Sequence, residues 1–75
     1  MSNIYIEAEV YPGMDIHNAA RDACRLSDRL LLPVKIRFKG VGLFAYPGHS
    51  VQVEDRTIEI VNDYDRKREY ASEVN

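Results

Sequence analysis

The sequence predicts a small α+β domain. Its core is β-α-β-β, with one amphipathic helix packed on the sheet. The C-terminal segment follows as a further helix or as a β-hairpin plus short helix. Three observations lead there. Ile4–Val10 alternates with the period of a strand, residues 16–31 recur with the period of a helix, and residues 34–46 make two alternating runs around Lys39-Gly40. A chain of 75 residues has room for one domain, so 1–75 is expected to fold as a single unit.

In the first run Ile4, Ile6, Ala8 and Val10 fall on one side, and Tyr5, Glu7, Glu9 and Tyr11 on the other. Pro12-Gly13 breaks it. Asp15 then has the chemistry of a helix N-cap, a carboxylate able to accept from first-turn amides. Beyond it Ile16, Ala20, Ala23, Ser27 and Leu30 line up in one stripe, flanked by Ala19, Cys24 and Leu31. The opposite face carries His17, Asn18, Arg21, Asp22, Arg25, Asp28 and Arg29. Small residues dominate the stripe, so the helix can sit close to its sheet, with Ile16, Ala20, Ala23 and Leu30 expected against Ile6, Ile36, Phe38 and Leu43. Pro33 stops the helix.

Val34, Ile36 and Phe38 then point one way, and Lys35 and Arg37 the other. If Lys39-Gly40 is a two-residue hairpin loop, Phe38 faces Val41, Ile36 faces Leu43 and Val34 faces Ala45, which puts these apolar side chains on one face. A slip of one residue would destroy that match, so the register is set. Pro47-Gly48 ends the hairpin. The stretch Ser50–Val61 fits two states. A turn at Asp55-Arg56 pairs Val53 with Ile58 and Val51 with Ile60; a helix from about Asp55 places Ile58, Val61 and Tyr64 on one side. Residues 63–71 are helical in both.

Composition limits function. Ten basic and twelve acidic residues give a net charge of −2, too balanced for a strong field toward nucleic acid. One cysteine, Cys24, leaves no internal disulfide, and Cys24, His17 and His49 are too scattered for a zinc site. No cofactor is expected. The chain shows no signal peptide and no apolar run long enough to span a membrane, and its unpaired cysteine suits a reducing cytoplasm. No nucleophile, base and orienting group stand together in the pattern, so an enzyme is not expected. Cys24 reads as a buried small hydrophobe and His49 as a turn residue. Asp63-Tyr64-Asp65 reads as the start of a helix, and Arg66-Lys67-Arg68 as a solvated helix face among Asp63, Asp65 and Glu69.

The candidate binding surface is the sheet face away from the helix. Alternation places there Tyr5, Glu7, Glu9 and Tyr11, then Lys35 and Arg37, then Phe44 and Tyr46. Tyrosine and arginine dominate protein-binding hot spots. Aromatics beside cations also describe a platform for single-stranded nucleic acid, but the neighbouring carboxylates argue against phosphate. Two structural alternatives compete: the C-terminal segment covers this face, or the charges pair across strands. The second candidate surface is the helix face of Arg21, Arg25 and Arg29.

The acidic first strand, the helix with Ala19-Ala20-Arg21-Asp22-Ala23-Cys24-Arg25-Leu26, and the run from Pro33 through Val41 to Ala45-Tyr46-Pro47-Gly48 together resemble small orphan proteins of bacteriophages and prophages, some of which are anti-CRISPR or other anti-defence inhibitors. The resemblance spans residues 4–48 as a pattern and has no diagnostic functional motif. It implies a compact βαββ protein in the host cytoplasm that binds and blocks a larger bacterial protein or nucleoprotein complex. No functional residue carries over, because such proteins share no common site. The expected function is therefore a non-catalytic protein-binding module acting by surface occlusion, with a homodimer as a further expectation. The alternative is a small nucleic-acid-binding module using the aromatic and basic sheet face.

Overall fold

The structure, a computed structural model, describes residues 4–48 and 51–74. The chain runs β1 (Ile6–Ala8), α1 (Ile16–Leu30), β2 (Val34–Phe38), β3 (Val41–Ala45) and α2 (Val53–Val74). The sheet order is β1-β2-β3, with β1 parallel and β3 antiparallel to β2. This is the α+β class and β-α-β-β order the pattern predicts, completed by a second helix. His49 lies outside the described residues.

β1 is shorter than its alternation. Its ladder begins where Ile6 N–H donates to Pro33 O at 2.9 Å and ends at Ala8, and Ile4 is exposed. As an edge strand it has only β2 to pair with, and the chain must leave the sheet to reach the Pro12-Gly13 turn, where Gly13 takes a φ of 89°. Asp15 caps α1 as expected, accepting from Asn18 N–H at 2.8 Å.

α1 buries Ala19, Ala20, Ala23, Cys24 and Ser27. Leu30 departs from the expectation: it is 42% exposed, and Leu31 is more exposed still. The helix is already turning away at this point. Leu31 adopts the left-handed conformation, its N–H donates to Ser27 O, and Ser27 Oγ donates to Leu32 O at 2.6 Å. That sharp exit ends the helix at Leu30 and returns the chain through Pro33 to β2.

The β2–β3 hairpin has the register read from the sequence: Phe38↔Val41, Ile36↔Leu43 and Val34↔Ala45. Lys39 at φ 50° and Gly40 at φ 83° form the tight turn, both in the positive-φ region that such loops require.

Residues 51–61 do not form a hairpin. α2 is one continuous helix from Val53 and packs beside α1 and against β3 on the core face, where Tyr64 meets Phe38 edge-on at 5.3 Å. Its buried face is Thr57, Ile60 and Tyr64, with Val53 half-buried, whereas Ile58 is 49% exposed. Thr57 can face the core because its hydroxyl donates to Val53 O at 2.7 Å one turn back. The C-terminal segment therefore covers the same side of the sheet as α1, not the aromatic side.

One polar fork joins the pieces. Arg56 donates from both terminal nitrogens to Asp28 of α1, at 2.8 and 2.6 Å, and also to Tyr46 O and Val51 O. Gly48 N–H donates to the same carboxylate at 3.2 Å. The side chains are only 12% and 23% exposed, so neither charge is well served by water.

Two outcomes follow. Arg56→Ala removes both guanidinium bonds from the shielded Asp28 carboxylate and should cost about 2–4 kcal/mol, lowering Tm by at least about 10 °C. Arg56→Lys should restore less than half of this, because an ammonium cannot fork; full rescue by lysine in thermal unfolding would contradict the bidentate role. Gly40→Val forces a β-branched residue into positive φ and should cost about 1–3 kcal/mol, while Gly40→Asn is tolerated. Chemical denaturation of the pair checks this, and equal midpoints would remove the turn from the account.

Candidate functional site

The sheet has one covered face and one open face. Val34, Ile36, Phe38, Leu43 and Ala45 point into the helices and are buried. The intervening residues point out, and the structure brings most of the predicted set together there. Tyr5 and Phe44 meet edge-on at 5.4 Å between ring centroids, and Phe44 stacks on Tyr46 at 5.9 Å and 17°. Tyr5 reaches across β2 to make this contact, so the three rings form one cluster spanning the sheet. Phe44 is 37% exposed, Tyr5 48% and Tyr46 60%, so the cluster presents ring surface to solvent.

Lys35 sits centrally. Its register partners are Glu7 on one side and Phe44 on the other. Its ammonium lies 5.9 Å from the Phe44 ring centroid and 3.8 Å from Glu7. Its stem lies over Gly42, where a Cβ would stand 3.3 Å from Lys35 Cε. Strand-to-strand pairing of charges therefore coexists with the aromatic cluster, and at this exposure such a pair contributes little to stability. Arg37 is exposed opposite Gly42. Tyr11, although 82% exposed, stands apart from the ring cluster, beside Arg37 and the Lys39 turn.

The helix face of Arg21, Arg25 and Arg29 is less of a unit. Arg21 is committed, donating to Glu54 of α2 at 3.0 Å and to Asn18, with His17 3.7 Å from the same Glu54. Arg25 and Arg29 are exposed.

A groove that periodicity did not signal runs along the free side of β3. It holds about 660 Å³ between Phe44 and Tyr46 on one wall and Glu59, Ile60, Asn62, Asp63 and Arg66 of α2 on the other. Its helix residues recur at the spacing of one face of α2, a signal present in the sequence but usable only once residues 51–61 are known to be helical.

Cys24 is fully buried beneath Arg56 and Thr57. Burial pushes its thiol up, outweighing the opposing influence of Arg56 and Thr57. Arg56 is held still more firmly protonated by the Asp28 hydrogen bonds. No group of three or more His, Cys, Asp or Glu side chains able to hold a metal ion occurs among the described residues. No helix among them is long and apolar enough to cross a membrane. Comparison with family models, with curated proteins and with solved structures returns no match.

The thiol gives a check on the packing. With its native pKa raised, Cys24 keeps its proton while the unfolded thiol ionises near about 8.5, so its contribution to stability is complete below that pH and declines above it. Iodoacetamide at pH 8 should label the native protein at least about a hundredfold more slowly than the unfolded chain. Comparable rates would mean that Cys24 is reachable from solvent.

Proposed function

We propose that this protein is a non-catalytic binding module, a phage-type inhibitor working in the cytoplasm of a bacterial host, that docks the open face of its sheet onto a larger bacterial protein and occludes a functional surface there. The observation carrying this reading is the Tyr5–Phe44–Tyr46 cluster, with Phe44 on β3 and Tyr5 and Tyr46 at the ends of β1 and β3, left uncovered because both helices lie on the other side. Rings that already pack on one another lose little freedom when a partner covers them, and contiguous exposed apolar surface on a small domain marks an interaction site. Lys35 and Arg37 beside Glu7 and Glu9 give the face mixed charge, which suits a protein surface better than a polyphosphate backbone.

A second reading has one observation of its own, the Lys35 ammonium over the Phe44 ring, as in platforms for single-stranded nucleic acid. A third places a second copy of the chain on the aromatic cluster as a homodimer.

The Phe44→Ala, Tyr46→Ala double variant tests these together. Both side chains are exposed, so its Tm should stay within about 5 °C of the parent. Affinity for a partner captured from bacterial lysate should fall at least about thirtyfold. An Arg25→Ala, Arg29→Ala control should retain it. If only the control variant loses the partner, docking belongs to the helix face. Salt-dependent binding of a fluorescent oligonucleotide, lost in the double variant, would support the nucleic-acid reading. Sedimentation of the parent as a dimer and of the double variant as a monomer would assign the face to self-association.

A further inference from the structure

The direction of the peptide groups on β3 is fixed by its turn. Phe38 and Val41 flank a two-residue loop and exchange hydrogen bonds. Alternation then makes Ile36–Leu43 and Val34–Ala45 the other bonded pairs. Gly42 and Phe44 therefore turn their N–H and C=O groups away from β2, toward the free edge. At one end the Gly42 carbonyl is taken by Lys67 Nζ at 3.0 Å, and just past the strand the Tyr46 carbonyl is taken by Arg56 at 3.1 Å. Between these clips, the N–H and C=O of Phe44 have no partner among the described residues.

The second observation is where α2 lies. α1 packs under β2 and β3, and α2 packs beside α1 and under β3. Packed helices are about 8–10 Å apart, but strands only about 4.8 Å. Two helices side by side are thus wider than the strands above them, and α2 projects past β3 by about one strand width. The groove of about 660 Å³ between Phe44, Tyr46 and the outer face of α2 is the result. It has the position of a fourth strand with its floor already in place.

Two occupants compete for that place, and geometry separates them. Pairing β3 with β3 of a second copy would bring two projecting α2 helices into the same space, closer than about 8–10 Å. A single extended segment meets no such obstacle. Its alternate side chains would face opposite ways, one set beside Phe44 and Tyr46 on the open face, the other down onto α2. On that floor Glu59 has no ion-pair partner among the described residues, whereas Asp63 is already shared by Arg66 and Lys67. With Arg66 and Lys67 both engaged by Asp63, Glu59 is the carboxylate of the floor left to meet a cation from outside.

We infer that the free edge of β3 receives an extended segment of the partner protein as a fourth strand, with a Lys or Arg directed at Glu59 and apolar side chains beside Phe44 and Tyr46. The inference rests on the reading of the chain as a protein-binding module and specifies how part of the partner is held. Main-chain bonds at Phe44 give attachment, the rings and Glu59 select the sequence, and Lys67 swings aside to release the Gly42 carbonyl.

The probe is a capped heptapeptide of alternating Val and Lys, titrated into the full chain and followed by amide shifts and hydrogen exchange. Binding should shift the Gly42, Phe44 and Glu59 amides and slow exchange at Phe44. With the segment antiparallel to β3, the Val residues opposite Phe44 direct their peptide groups at β3. N-methylating the Val amides should therefore weaken binding at least about tenfold, while N-methylating the Lys amides leaves it within about twofold. Replacing Lys by Glu in the peptide, or Glu59→Lys in the protein, should also weaken it at least about tenfold. Gly42→Pro removes an outward N–H without touching the rings, at an edge position where proline is tolerated and where the neighbouring Lys35 end is flexible; it should weaken binding likewise. The methylated peptides give the same information on unaltered protein, should that variant fold poorly. Equal affinity for both methylated peptides, shifts centred away from β3, or no binding up to about 1 mM would overturn the edge site. If the edge site is overturned while the Phe44, Tyr46 double variant still loses its captured partner, the docking-face reading stands without it.

Discussion

The fork between Asp28 and Arg56 is the interaction on which the arrangement depends. Its guanidinium, at the start of α2, bonds Asp28 of α1, the Tyr46 carbonyl just past β3 and the Val51 carbonyl, and the Gly48 N–H joins through the Asp28 carboxylate. Apolar contact alone tells α2 to lie against the core but leaves its sliding and rotation loosely set, because the buried face of α1 is made of small residues, three alanines, a cysteine and a serine. A planar fork with bidentate geometry sets both. The same pair is shielded from water, so any displacement of α2 leaves a charge unserved.

From that placement the open face follows. α2 is held beside α1, so the two helices share one side of a three-stranded sheet and nothing in the described chain reaches the other. The aromatic cluster and the groove beside β3 are then neighbouring products of one mismatch in width, with Phe44 and Tyr46 belonging to both. A partner engaging the rings is already in position to engage the strand edge.

How much of this could be read beforehand divides cleanly by mechanism. The hairpin register, the Asp15 cap and the identity of the open face were legible because each depends on neighbours in sequence: turn residues, side-chain alternation and a carboxylate three residues from its donor. The state of residues 51–61 was not, since Val51, Val53, Ile58 and Ile60 satisfy a strand pattern, and the inward face of α2 includes Thr57, whose polarity is hidden only by its bond to Val53. Arg56 looked like a turn residue for the same reason, its partner Asp28 lying in another helix. Leu30 was misplaced because it is the last residue of α1, and helical periodicity does not show that the chain turns away at Leu31 and leaves nothing over it. The groove is legible only after the helices are placed, since it arises from packing widths and not from any residue pattern.

The alanine-lined contact between α1 and its neighbours has a consequence for how such a domain can change. On the helix side Ala20, Val34 and Leu43 are shut away from solvent, so enlargement there is penalised and the permitted alphabet is narrow. On the opposite side the side chains of Tyr5, Glu7, Lys35, Arg37, Phe44 and Tyr46 carry little of the folding energy. The molecule therefore divides into a half that must stay as it is and a half that can be rewritten. A lineage of this fold could move from one target to another by exchanging a handful of outward residues, keeping its scaffold while its specificity changes.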